Sequence, residues 1–179
     1  MSNLYKTKGV LDFIDSMILL KDETELKFSA TLVGAESPEL SYKEVKKYIT
    51  NKKGDKFINL IGPLYGNEKK KILKNSDVFI FPTYYANEAF PIVILEAMES
   101  GLPIITTSEG GIPDLVTDKQ NGFIVKARDI KSITEKAKRL LENKELREKI
   151  SKQNIEKFYA SYTITHFEKN IKKVIEEVI

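Results

Sequence analysis

Five short apolar runs alternate along this chain with segments of helical period. They are 26–34 (LKFSATLVG), 56–62 (KFINLIG), 77–82 (DVFIFP), 102–107 (LPIITT) and 122–125 (GFIV), bounded by Gly, Pro and Asp. Runs of this kind are those of strands buried on both faces. Between them Val10, Leu11, Ile14, Met17 and Ile18 fall at helical spacing. Further helices are expected over 39–51, over 68–74 with Asn67 as N-cap, over 91–100 ending at Gly101, and over 130–142 and 145–158. Phe167, Ile171, Val174, Ile175 and Val178 mark one stripe of a last helix. The alternation predicts an α/β fold. Its core is a single Rossmann-like, doubly wound parallel sheet with right-handed crossovers, and extra helices follow at the C-terminus. Only residues 1–5 precede the first helix, where such a sheet wants a strand, so the first strand is expected to be truncated.

The length of 179 residues corresponds to one domain. No apolar run reaches the roughly 18–20 residues of a membrane span, and the N-terminus lacks the apolar core of a signal peptide. A cytoplasmic protein is expected. There are no cysteines, which excludes disulfides, thiol catalysis and thiolate metal sites, and the one histidine, His166, excludes a multi-histidine site. The 29 Lys and Arg against 26 Asp and Glu leave +3, scattered over helical stretches. Nucleic-acid binding needs basic residues clustered on a face, and no such cluster exists.

In open parallel sheets, ligands bind outside the carboxyl ends of the strands. The segments to inspect are therefore 34–38, 62–67, 83–91 and 106–114. No P-loop is present, no G-x-G-x-x-G follows a strand, and no D-x-D offers a metal site for a diphosphate. A phospho-receiver domain needs a lysine after a late strand, where this chain has TTSEGG.

The informative stretch is 81–116, FPTYYANEAFPIVILEAMESGLPIITTSEGGIPDLV. Glu88 and Glu96 lie eight positions apart. Were both helical, they would be roughly 12 Å apart along the axis and some 80° around it. Pro91 instead suits a helix start, which leaves Glu88 in the preceding loop and Glu96 more than one turn inside. The free amides of residues 89–93 then lie between two carboxylates. A helix N-terminus can hold a diphosphate, and carboxylates accept hydrogen bonds from sugar hydroxyls. The plain alternatives are a helix-start acid at Glu88 and a surface acid at Glu96.

The pattern Glu88-Ala-Phe-Pro-Ile-Val-Ile-Leu-Glu96-Ala-Met, followed by Ser100-Gly-Leu-Pro, Gly110-Gly-Ile-Pro-Asp and Asn121-Gly-Phe, resembles the retaining GT-B glycosyltransferases of family 4, the group 1 glycosyltransferases. Lys8-Gly9, Val33-Gly34 and Ile61-Gly62-Pro63 extend the resemblance over nearly the whole chain. It implies the C-terminal, donor-binding domain, residues 1–179, of a two-domain enzyme whose N-terminal acceptor domain is not in this sequence. The parent reaction would move a hexose from a UDP-, GDP- or ADP-linked donor to a glycan or lipid-linked acceptor, with retention and without metal or cofactor. Cell-surface polysaccharide synthesis is the implied setting, with peripheral contact at the inner membrane face.

The resemblance assigns Glu88 to the donor sugar near the reacting centre and Lys8 to the phosphates of the leaving group. It assigns Glu96 to the ribose, and Phe90, Pro91 and Ile92 to the diphosphate. Leu64 and Tyr65 would lie by the nucleobase. Gly34 falls in the first of the loops to inspect. Gly110 and Gly111 are either a turn or a close approach of backbone to ligand. The family usually has Arg five positions before the lysine, where this chain has Asn3. His166 is no candidate for catalysis. A sugar-nucleotide epimerase half and a non-catalytic nucleotide-binding module remain the competing readings. The stripe on the last helix is expected to be partly uncovered and to support self-association.

Overall fold

A computed structural model describes residues 1–178. A 3-10 turn at Lys6–Lys8 leads into α1 (Val10–Glu23), followed by β1 (Ala30–Val33), α2 (Tyr42–Asn51), β2 (Ile58–Ile61), α3 (Gly66–Lys74) and β3 (Phe79–Phe81). Then come α4 (Ile92–Glu99), β4 (Ile104–Thr106), α5 (Ile112–Leu115), β5 (Gly122–Ile124), α6 (Ile130–Glu142), α7 (Lys144–Ser161) and α8 (Ile164–Val178). All five expected strands are present but shorter, because only the centre of each run is hydrogen-bonded to a neighbour.

Local chemistry sets the helix ends. Gly9, at φ 73, closes the 3-10 turn and turns the chain into α1. Ser41 and Glu44 form a capping box, so α2 starts at Tyr42 and not in the expected region of residue 39. Asp129 and Asn143 cap α6 and α7 through Ser132 N–H and Leu146 N–H. Asn67 is not an N-cap. The helix begins at Gly66, after extended Tyr65 and with no side-chain cap. The short α5, with Pro113 in its first turn, was not expected from periodicity, which four residues are too few to show.

The strands form two parallel ladders, β1–β2 and β3–β4–β5, with no hydrogen-bonded rungs joining them among the described residues. The first residues of the chain lie between. Ser2 N–H donates to the Val33 carbonyl (3.1 Å) and Leu4 N–H to Ala35 (2.8 Å), in step and in the same direction as β1. Residues 2–4 thus run as the tail of a strand. Three residues on, Tyr84 N–H donates to the Thr7 carbonyl (2.7 Å). This N-terminal segment stitches the carboxyl end of β1 to the carboxyl end of β3.

Consecutive residues of β4 enter different cores, as strands covered on both faces require. Ile105, with Ile80 and Phe123, packs against α1, α2 and α6 through Ile14, Met17, Val45 and Ile133. Ile104, with Phe79 and Phe81, packs against α3, α4 and α5 through Leu73, Ile94, Met98 and Leu115. Helix α7 lies on α4, where buried Asn154 donates to the Leu102 and Asn121 carbonyls (2.8 Å each) and accepts from Asn121 Nδ2 (2.9 Å). On α8, Phe167, Ile171, Val174 and Ile175 stand exposed, Phe167 at 65%. The stripe is uncovered. The side chain of Val178 and all of Ile179 fall outside the described residues. His166 Nδ1 meets Thr163 Oγ1 at 2.7 Å at the start of the same helix.

Candidate functional site

The parallel ladders bring their carboxyl ends to one edge of the molecule, and the loops expected to carry function all follow strands there. Strand β3 runs into Pro82-Thr83, and the chain then crosses to α4. Within that loop Glu88 is only 8% exposed, a burial that needs partners. Lys8 Nζ lies 2.6 Å from Glu88 Oε2, and Thr83 Oγ1 donates to the same oxygen at 3.1 Å. The ammonium also sits 4.4 Å from the centre of the Tyr85 ring, at cation–π distance. Gly9 permits this approach, because a Cβ there would strike the Pro82 carbonyl.

The support around Glu88 is rigid. Thr83 is fully buried, and its carbonyl accepts from Thr107 Oγ1 (2.5 Å) on the loop after β4. Glu88 N–H donates to the Tyr85 carbonyl (2.9 Å). Gly110, at φ 51, and Gly111 press on this loop from the other side. A Cβ on Gly110 would overlap the Glu88 carbonyl, and one on Gly111 would crowd Ala89 and Phe90. The two glycines make a close approach to backbone, and that backbone is the Glu88–Phe90 loop.

Helix α4 opens at Pro91 with no side-chain cap, so its first amides point out of the helix unclaimed by a side chain. Phe90 and Ile92 flank this end at 45% and 67% exposure. Uncapped amides and the positive end of the helix favour an anion. Glu96 lies in the fifth position of the helix and faces α3, where Lys69 Nζ is 2.5 Å from its Oε2. That contact is a charge contact without hydrogen-bond alignment, and Oε2 is buried with no other partner. Leu64 and Tyr65 lie in the loop after β2, with Tyr65 75% exposed. Gly34 follows β1 and lies against the Ser2 carbonyl, where no Cβ fits.

Lys8, Glu88, Phe90, Pro91, Gly110 and Gly111 are thus brought to one place, with Glu96 along the same helix. Leu64, Tyr65 and Gly34 stand at the ends of the other ladder. Sequence reasoning missed Thr83, Tyr85, Thr107 and Lys69. Thr83 follows a strand-ending proline, a position worth reading. The partnership of Lys69 with Glu96 arises between two helices and leaves no linear signal. Among the described residues no group of three or more His, Asp or Glu could hold a metal ion.

The fold is that of the C-terminal domain of a GT-B glycosyltransferase. It superposes on the C-terminal domain of a group 1 glycosyl transferase, LpcC from Francisella tularensis, with a TM-score of 0.81 at 27% identity, over 92% of this chain and 84% of that one. The chain belongs to the family Glycosyl transferases group 1, whose model matches residues 1–157. A curated relative is the N,N'-diacetylbacillosaminyl-diphospho-undecaprenol alpha-1,3-N-acetylgalactosaminyltransferase of Campylobacter jejuni. It is 29% identical over 148 residues, 81% of this chain and 35% of that protein. Anabaena HepE, solved in complex with UDP-glucose, shares the fold at 19% identity, with a TM-score of 0.84 over 98% of this chain and 48% of that one. The chain spans between 18% and 35% of the length of the first curated relatives it matches.

Proposed function

We propose that this chain is the donor-binding half of a retaining, metal-independent hexosyltransferase of cell-surface polysaccharide synthesis. The observation that carries the reading is the Lys8–Glu88 pair set beside the uncapped N-terminus of α4 at the carboxyl edge of the strands. Amides and ammonium suit a diphosphate, and a buried carboxylate next to them suits the hydroxyls of the attached sugar. Glu96 is the partner for the ribose, Leu64 and Tyr65 for the base, and Phe90, Pro91 and Ile92 line the diphosphate. As the bond to the sugar breaks, Lys8 meets the charge gathering on the leaving phosphate, a role that asks for no divalent ion. Retention follows from attack on the face the phosphate leaves. The fold supports the reading, since HepE, which shares it, is known in complex with UDP-glucose.

The acceptor is a glycan or lipid-linked sugar, which places the whole enzyme in the cytoplasm at the inner membrane face. Catalysis needs an acceptor wall opposite this edge, so the 179-residue chain by itself binds nucleotide weakly and does not turn over. Calorimetric titration with UDP, GDP and ADP tests the reading. Saturable binding of one of them is expected, weakened by about 1–3 kcal/mol in Glu96→Ala. Heats no larger than those of dilution for all three at millimolar concentration would overturn it.

A further inference from the structure

The net charge of +3 is unevenly divided. Residues 42–74, which run through α2, β2 and α3, carry ten lysines and no arginine against Glu44, Asp55 and Glu68, a balance of +7. The remaining residues hold 19 Lys and Arg against 23 Asp and Glu, a balance of −4. Scattered along the chain, these lysines are gathered by the fold. Among the described residues β2 bonds only to β1, so its far side is a free edge of the sheet. Helices α2 and α3 flank that edge on opposite faces, with Val45 and Ile49 of α2 entering one core and Leu73 of α3 the other. Tyr48 Oη donates to Asp15 of α1 (2.8 Å), which fixes how α2 is turned. Lys43, Lys46 and Lys47 lie roughly 100–160° around the helix from Tyr48, away from α1. On α3, Lys69 meets Glu96 of α4, and Lys71 and Lys74 lie roughly 140–160° from it, away from α4. Lys53 and Lys56 stand exposed in the turn that enters β2.

These seven lysines are exposed, and among the described residues none has a carboxylate within 4.0 Å. On α7 and α8 the chain does otherwise: Lys144, Lys152, Lys172 and Lys173 each lie within 4.0 Å of a glutamate one turn on. Of the acids in the basic segment, Glu44 is held by Ser41 and Asp55 by Thr50 Oγ1, and Glu68 stands exposed. Lysine is a compact, strongly hydrated charge that suits a diffuse anionic surface, whereas reading nucleic-acid bases asks for arginine forks and open aromatic rings. Tyr42, Tyr48 and Phe57 are engaged with Gly34, Asp15 and Phe28. Tyr65, in the loop after β2, is the one large apolar side chain of the segment that is exposed among the described residues. We propose that the lysine rim at the free edge of β2 is a docking surface for a membrane of acidic lipids, held by charge and not by insertion. The proposal deepens, and rests on, the placement of the enzyme at the inner membrane face. A bilayer against this edge runs alongside the strands. Their carboxyl ends then open parallel to the lipid surface, toward an acceptor carried in it.

The test is co-sedimentation of the intact chain with vesicles of phosphatidylcholine, alone or with about 30% phosphatidylglycerol. At about 0.1 M salt the acidic vesicles should bind it about tenfold or more above the neutral ones, and about 0.5 M salt should abolish the difference. The exposed pairs Lys46→Glu with Lys47→Glu, and Lys71→Glu with Lys74→Glu, should keep the melting temperature and each lower the partition by about tenfold or more. Lys144→Glu with Lys152→Glu makes the same change in net charge on α7 and should lower it by less than about threefold. Equal binding to both kinds of vesicle would overturn the proposal, and so would a loss in the α7 pair as large as in the others. Binding that survives high salt would place the contact on an apolar surface instead. A preference for duplex DNA over acidic vesicles at the same salt would make nucleic acid the partner, against the proposal. No nucleotide is present, so failure here leaves the donor-site reading standing, and a chain that binds no nucleotide can still pass.

Discussion

Lys8 Nζ and Glu88 Oε2 meet at 2.6 Å across eighty positions of sequence, and both side chains are largely withdrawn from water. One arrives from the turn before α1 and the other from the loop before α4. Their contact is therefore a tie between the two ends of the N-terminal half of the fold as well as the centre of the candidate site. Removing one partner of such a pair leaves the other uncompensated. Lys8→Met should cost about 3 kcal/mol of stability in urea unfolding, and the double variant Lys8→Met, Glu88→Gln should recover much of the loss. A double variant no more stable than Lys8→Met would show that the two charges are not coupled.

Gly110→Ala should lower the melting temperature and disturb the Glu88 loop together. Its φ of 51 already disfavours a side chain, and the added methyl meets the Glu88 carbonyl. A loss of about 2 kcal/mol is expected, with chemical-shift changes concentrated at Glu88 and Ala89. Gly66→Ala is the control. Its φ is similar, at 50, but no atom stands within 4 Å of the new methyl, so the cost should be smaller.

Asn154 is fully buried and serves three partners on two loops. Asn154→Ala strands the Leu102 and Asn121 carbonyls and the Asn121 amide inside the protein. A destabilisation of about 2–4 kcal/mol is expected in denaturant titration, well above an exposed Asn→Ala change in the same helix.

The exposed stripe of α8 should make the chain associate with itself. Sedimentation at increasing concentration should show a shift in mass, and Ile171→Glu should abolish it. A chain that sediments as a monomer throughout would remove the expectation.

What the sequence made legible follows from what each element buries. The centres of β3, β4 and β5 were readable because both of their faces enter a core, whereas β1 and β2 were readable from short apolar runs although Asn59 of β2 is exposed. Helix α6 was readable to the residue, since Asp129 caps it and its apolar period is regular. The loop placement of Glu88 and the interior placement of Glu96 followed from Pro91. The pairing of Lys8 with Glu88 and of Lys69 with Glu96 was not legible, because each contact is made by elements that the topology brings together. Asn67 misled because an asparagine before a polar helix is a frequent cap, whereas here Gly66 takes a left-handed turn and starts the helix earlier.

The split between the ladders also bears on how the molecule comes apart. β1, β2 and α2 contribute to only one of the two apolar cores, and among the described residues the edge of β1 that faces β3 is hydrogen-bonded only to residues 2–4, at its carboxyl end. Their hold on the remainder is α1, itself packed on α6, and the few backbone bonds of residues 2–7. Cooperativity across the molecule is therefore uneven. Limited proteolysis under mild denaturation should release the β1–β2 unit first, while β3, β4, β5, α4 and α7 persist as a resistant body.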